Sequence, residues 1–292
     1  MTTAGSVSPW LPTAPCVPGD CARHVGPSAG PVLAALRLTA GVTAVLAGVL
    51  LAPLAALLPA RGRRALVRRW CRLVILAFGV RMEVTGAPVP ADGPLLVVAN
   101  HISWLDIPLV AAVLPGRMLA KREVRAWPVL GPLAARGGTL FIDRDRLRAL
   151  PETVRTMAGA LAGGGRVVVF PEGSTWCGRG GGAFRHAAFQ AAIDASAPVQ
   201  PVRLEYRPVG PAAFVGDDPL AASLWRIASA RGVTAEIRIL DPISSIQYPN
   251  RRELARAAQR AVASDSANRP SLSVHQRVSS RSASASSART PA

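Results

Sequence analysis

Residues 38–60, LTAGVTAVLAGVLLAPLAALLPA, contain no charged side chain. About 20 apolar residues cross the hydrocarbon core of a bilayer, and a core helix rarely stays apolar on every face for so long. The run therefore predicts a membrane-inserted helix. Pro53 leaves open a second geometry, a bent hairpin lying in one leaflet. A cleaved leader fits less well, because the apolar stretch is long and a Pro- and Gly-rich segment precedes it.

The charges flanking this run are one-sided. Arg occupies positions 61, 63, 64, 68, 69 and 72, whereas only Arg23 and Arg37 come before it. The positive-inside rule then places the long C-terminal part on the cytoplasmic face of the cell membrane. The whole chain carries 34 basic and 17 acidic residues, a net charge of +17, which calls for an anionic partner. A basic run abutting an apolar segment is most simply a contact with anionic headgroups, so membrane lipid is favoured over nucleic acid.

Four segments follow. Residues 1–30 are rich in Pro, Gly, Ser and Thr without helical or strand periodicity and are expected to be disordered. Residues 31–80 supply membrane-anchoring helices, and 81–263 form the folded domain. Residues 264–292, with ten Ser and four Arg, read as a disordered tail. The cysteines, Cys16, Cys21, Cys71 and Cys177, show no metal-ligand pairing in their spacing and are expected to be reduced thiols in a cytoplasmic setting.

Within 81–263, short apolar runs at 95–99, 139–143, 166–170, 199–204 and 235–240 read as strands, with weaker ones at RMEVTG and GRMLAK. Helical spacing at 147–162, 184–195 and 219–230 alternates with them. That alternation predicts an α/β fold, a mostly parallel sheet flanked by helices. In such sheets, sites gather in loops at the carboxyl ends of strands. NHISWLD, DRDR and PEGST sit in three such loops.

Each loop carries usable chemistry. His101 follows an apolar strand and Asp106 lies five residues on; a tight strand-to-helix turn brings the acid beside the imidazole, fixing its tautomer for general-base work. Arg144 follows the strand TLFID, and its fork suits phosphate. The bland counterpart is a surface ion pair within Asp143–Arg146. Glu172, Gly173, Ser174 and Thr175 follow VVVFP, where Gly admits close backbone approach and the hydroxyls can bond a ligand. The glycine-rich CGRGGGAFR carries Arg179 and Arg185, either a lid or phosphate cradle or a mere linker.

In order and spacing, NHISWLD (100–106), GGTLFIDR (137–144), FPEGST (170–175) and APVQPVRL (197–204) resemble the blocks of the glycerolipid acyltransferases, the family of 1-acyl-sn-glycerol-3-phosphate acyltransferase, across about 81–205. The resemblance implies a membrane-associated enzyme moving a fatty acyl group from acyl-CoA or acyl carrier protein to a lipid hydroxyl. His101 would be the general base and Asp106 its orienter. Oxyanion donors are expected from backbone N–H groups near the helix start after His101. The second and third blocks imply acceptor-binding roles for Phe141, Arg144, Glu172, Gly173, Ser174 and Thr175. The implied partners are membrane lipids, a lysophospholipid acceptor and the acyl thioester as co-substrate; no metal, bound cofactor or nucleic acid is implied.

One departure bears on the acceptor. Where the family commonly reads Glu-Gly-Thr-Arg, this chain reads Glu-Gly-Ser-Thr, so Thr175 replaces an expected phosphate contact. Either Arg179 or Arg185 substitutes for it, or the acceptor lacks a phosphomonoester, as in a lyso-aminolipid such as lyso-ornithine lipid. Two rivals come from other classes. A serine hydrolase would use the G-x-S-x-G text GPSAG at 26–30, which lacks the preceding strand of a nucleophile elbow. A non-catalytic membrane scaffold would need only the basic surface.

Overall fold

The computed structural model of the chain describes residues 13–24, 26–90, 92–144 and 146–267. In chain order the elements are α1 (Pro18–Cys21), α2 (Pro31–Ala56), α3 (Ala60–Ala77), β1 (Arg81–Gly86), β2 (Leu95–Ala99), α4 (Asp106–Ala111), β3 (Arg117–Lys121), α5 (Leu130–Arg136) and β4 (Leu140–Ile142). They continue with α6 (Leu150–Ala162), β5 (Arg166–Val169), α7 (Ala187–Asp194), β6 (Val199–Arg207), α8 (Val209–Ala212), α9 (Leu220–Ser229), β7 (Thr234–Ile239) and α10 (Arg251–Ala267).

The seven strands form one sheet in the order β1-β7-β6-β2-β5-β3-β4. All neighbours run parallel except β6 and β7. Both weaker sequence candidates, at 81–86 and 116–121, are strands. The central parallel strands β2 and β5 are buried on both faces, as their continuous apolar runs require. From β2, Leu95, Val97 and Ala99 join Ile75, Phe78, Leu109 and Ile237 on one face, while Leu96 and Val98 join Met157, Leu161, Phe189 and Leu254 on the other. Central β2 and β5 therefore end at a well-packed, rigid position, which is what a site needs.

The segment expected to anchor the chain, 31–80, consists mainly of α2 and α3. Helix α2 is long and apolar enough to cross a membrane, and only 11% of its most apolar window is buried. Leu36, Leu50, Leu51 and Leu54 point outward. The N-terminal half of α2 is nonetheless docked. Arg37 donates to the Ala230 carbonyl (2.8 Å), and Trp70 of α3 donates to that of Ala44 (2.8 Å). Gly41 and Gly48 permit this, since a Cβ would meet the Phe78 ring at 2.5 Å and the Trp70 ring at 2.4 Å. Arg61, Arg64, Arg68 and Arg72 of α3 line a cavity of about 700 Å³ beside Asp92 and Pro90.

Two expectations about the ends need correction. Residues 13–24 and 26–30 are placed against the domain rather than disordered: Cys16, Ala22 and Ala29 are buried, and Ser28 bridges to Ala230. Small apolar residues and a Gly210 that leaves room for the Arg23 carbonyl give this segment a seat that periodicity could not reveal. At the other end α10 continues to Ala267, past the expected boundary at 263. The remaining parts of both expected disordered ends, 1–12 and 268–292, lie outside the described residues.

Candidate active site

The site begins where β2 stops. The Asn100 side chain pairs with the main chain of Leu204 on β6, accepting its N–H (2.8 Å) and donating to its carbonyl (3.0 Å). This extends the ladder by a side chain and fixes the residue that follows. His101 then donates its main-chain N–H to Glu172 Oε2 (2.8 Å), and its carbonyl accepts the N–H of Trp176 (2.7 Å). The loops after β2 and β5 are thus stitched together at His101.

The turn into α4 brings Asp106 back as its spacing predicts. His101 Nδ1 lies 2.8 Å from Asp106 Oδ2, which also accepts the N–H groups of Ile102 (2.6 Å) and Ser103 (2.9 Å). The Tyr206 hydroxyl donates to Oδ1 at 2.6 Å. Asp106 is fully buried, and a buried carboxylate needs this many donors. With Asp106 accepting throughout, Nδ1 carries the proton and Nε2 keeps its lone pair. Burial, then the neighbouring Asp106, push the Tyr206 phenol well above its ordinary value, so it stays a donor. The imidazole also stacks on Phe170, with centroids 4.2 Å apart and planes 16° from parallel.

A cavity of about 240 Å³ opens beside the imidazole, lined by His101, Glu172, Trp176, the glycine-rich loop 178–182, Arg203 and Gln259. Gln259 of α10 braces that loop, donating to the Gly182 carbonyl (3.3 Å) and accepting the Phe184 N–H (3.1 Å). Burial pushes the Glu172 carboxyl up to about 7, against the main-chain N–H groups of His101 and Gly182 that favour its charge. Its other oxygen, Oε1, accepts the Gly182 N–H at 3.2 Å.

The expected site residues divide. His101, Glu172 and Arg179 line the cavity, and Asp106 sits behind His101 on its Nδ1. Both Glu172 oxygens already serve main-chain N–H groups, so this residue ties two loops together rather than contacting an acceptor phosphate as expected; a carboxyl has no charge attraction for phosphate. Gly173 closes the turn after Phe170 with φ +75°, a conformation that favours glycine. Ser174, Thr175 and Arg185 follow the same loop but are not among the lining residues.

Phe141 and Arg144 sit apart, at the β4 edge of the sheet. Arg125 lies over the Phe141 ring (5.7 Å), and Asp143 pairs with Arg122 (2.9 Å) rather than with a neighbour in its own loop. Burial lowers the Arg144 guanidinium from its ordinary value, with Glu123 opposing. Asp145, the other acid of that loop, lies outside the described residues. The N–H groups of Ile102 and Ser103 face Asp106 and that of His101 faces Glu172, so these three do not supply the oxyanion donors expected near the helix start. Sequence reading missed Tyr206, Arg203 and Gln259. Tyr206 had one available signal, a phenol on the same strand alternation as the apolar Val202 and Leu204.

The comparisons with known proteins agree with this architecture. The acyltransferase family model matches residues 81–205. The chain is 40% identical over 204 residues to a lyso-ornithine lipid O-acyltransferase of Pseudomonas aeruginosa, covering 68% of this chain and 78% of that protein. It thus belongs to the acyltransferase family. A 1-acyl-sn-glycerol-3-phosphate acyltransferase of Neisseria meningitidis is 36% identical over 207 residues, covering 68% of this chain and 80% of that one. Among solved structures, the 1-acyl-sn-glycerophosphate acyltransferase PlsC of Thermotoga maritima shares the fold. Its TM-score is 0.65 at 21% identity, covering 82% of this chain and 97% of that one. GPSAG, by contrast, sits before α2 with Ser28 in an isolated bridge, which is no nucleophile elbow.

Proposed function

We propose that this enzyme transfers a fatty acyl group from an acyl thioester, acyl-CoA or acyl carrier protein, to the free hydroxyl of a lysolipid at a membrane surface. The observation that carries this is the His101–Asp106–Tyr206 chain ending in a cavity. His101 Nε2 takes the proton of the acceptor hydroxyl as its oxygen attacks the thioester carbonyl. Asp106 holds the Nδ1–H and stabilises the imidazolium. Collapse of the tetrahedral intermediate expels the thiolate, which takes the proton back from His101. No protein nucleophile is required, and these residues need neither metal nor cofactor for this step. Main-chain N–H groups of the glycine-rich loop are an available source of oxyanion donors.

The acceptor best supported is 1-acyl-sn-glycerol-3-phosphate, giving phosphatidic acid, because Arg179 and Arg203 line the cavity and suit a phosphate. Arg144 would serve the acceptor from the β4 edge. Thr175 supports a second reading, acylation of lyso-ornithine lipid, which also matches the printed name of one relative. The outward apolar face of α2 and the Arg row of α3 support attachment to an anionic membrane, with the domain on the cytoplasmic face.

The test is acyl transfer from labelled long-chain acyl-CoA by membranes carrying the protein, with both lysolipids offered side by side. Phosphatidic acid that disappears with His101→Ala supports the first acceptor, and label confined to the aminolipid supports the second. Label in neither, with acyl carrier protein as donor too, would leave a lipid-binding scaffold.

A further inference from the structure

The cysteines looked unrelated along the chain. Folding brings three of them together. The sulfurs of Cys16, Cys21 and Cys177 all lie within 4.8 Å of one another. Cys16 lies just before the short helix α1 and Cys21 is its last residue, while Cys177 enters the glycine-rich loop directly after Trp176. Ala213 and Val215 wall the cluster with apolar surface. The segments also touch outside the sulfurs, with Arg179 donating to the Asp20 carbonyl at 3.5 Å.

We propose that Cys16, Cys21 and Cys177 bind one zinc ion that clamps the N-terminal segment onto the wall of the active-site cavity. Three sulfurs around a tetrahedral zinc stand about 3.8 Å apart, given Zn–S bonds of about 2.3 Å. The observed grouping reaches that arrangement with small side-chain movements. Thiolates select soft and borderline metals over magnesium or calcium. A disulfide, the other common use of paired cysteines, would consume two of these sulfurs and leave the third without a role.

The position gives the ion a consequence. Trp176 is bonded to the His101 carbonyl, and Gly182, further round the same loop, is bonded to Glu172. Metal bound at Cys177 therefore braces both ends of the hydrogen-bonded link that holds the candidate base.

The test uses the full chain purified in detergent without exposure to oxygen. Zinc content is expected at about one ion per chain, and cobalt substituted for it is expected to show thiolate-to-metal charge-transfer absorption. Cys16→Ser and Cys177→Ser should each weaken binding by at least about tenfold, whereas Cys71→Ser, which removes an isolated buried thiol, should change nothing. Because a serine variant can lose its fold, alkylation of the unaltered chain supplies a second readout: zinc should slow modification of Cys16, Cys21 and Cys177 by at least about tenfold. Unaltered protein that takes up no zinc, zinc that protects none of the three, or a Cys177 disulfide in the anaerobic protein would each overturn the proposal.

Discussion

The carboxyl ends of β2 and β5 and the carboxyl end of β4 lie on the same side of one sheet, yet they are built differently. At β2 and β5 the polar groups are buried and bonded to one another: Asp106 with four donors, Glu172 with two, Asn100 with both main-chain groups of Leu204. At β4 there are fewer such bonds: Asp143 pairs with the exposed Arg122, and Arg125 lies over Phe141. A group that must present one nitrogen in one direction needs the first kind of setting. A group that meets a mobile anionic headgroup works in the second, where long basic side chains keep their freedom. Under the proposed function, the chemical step and the capture of the acceptor would be held by separate degrees of rigidity.

That contrast fixes a rank of effects. His101→Ala should lower kcat by about 10²–10⁴-fold while leaving the fold intact. A variant with near-normal turnover would remove the β2 end from the chemistry. Asp106→Asn should follow, with a loss of about 10²-fold or more, because an amide presents N–H groups to donors that already point at it. Thermal denaturation should show this variant destabilised as well. Tyr206→Phe leaves Asp106 its other three partners; it should cost about 1.5–3 kcal/mol of stability, read by denaturant unfolding. At the β4 edge, Arg144→Ala should raise KM for a phosphate-bearing acceptor by about tenfold or less and leave kcat alone, the size of one ordinary net hydrogen bond. An equal loss in kcat would mean that the two ends are not separate.

A further effect is a matter of pH. Glu172 rises from an ordinary value of 4.5 to about 7 through burial, so the folded chain holds this proton more tightly than the unfolded one. The group's contribution to stability is full below pH 4.5 and is lost as pH climbs through 7, at most about 3 kcal/mol in all. Glu172→Gln should flatten that decline between those pH values. An unchanged slope would place the charge elsewhere.

What the sequence disclosed follows the same division. His101 and Asp106 were legible because one tight turn brings them together, and the alternation of apolar runs announced the parallel sheet. Tyr206, Arg203 and Gln259 were not legible, since strand and helix pairing across long separations decides what they face. Three cysteines that look unpaired by spacing share a corner for the same reason. The reversal of β7 against β6 was equally invisible, because a buried strand reads alike in either direction.

The stacking of His101 on Phe170 has one more consequence. Asp106 holds the imidazole by its edge and Phe170 by its face, so the ring cannot swing about either side-chain torsion. An imidazole free to rotate would surrender roughly 0.5–1.5 kcal/mol of rotamer entropy each time it aligned with an acceptor. Here that ordering is completed once, during folding. Under the proposed function, every incoming hydroxyl would find a lone pair already aimed, over an aromatic surface that welcomes positive charge when the proton arrives.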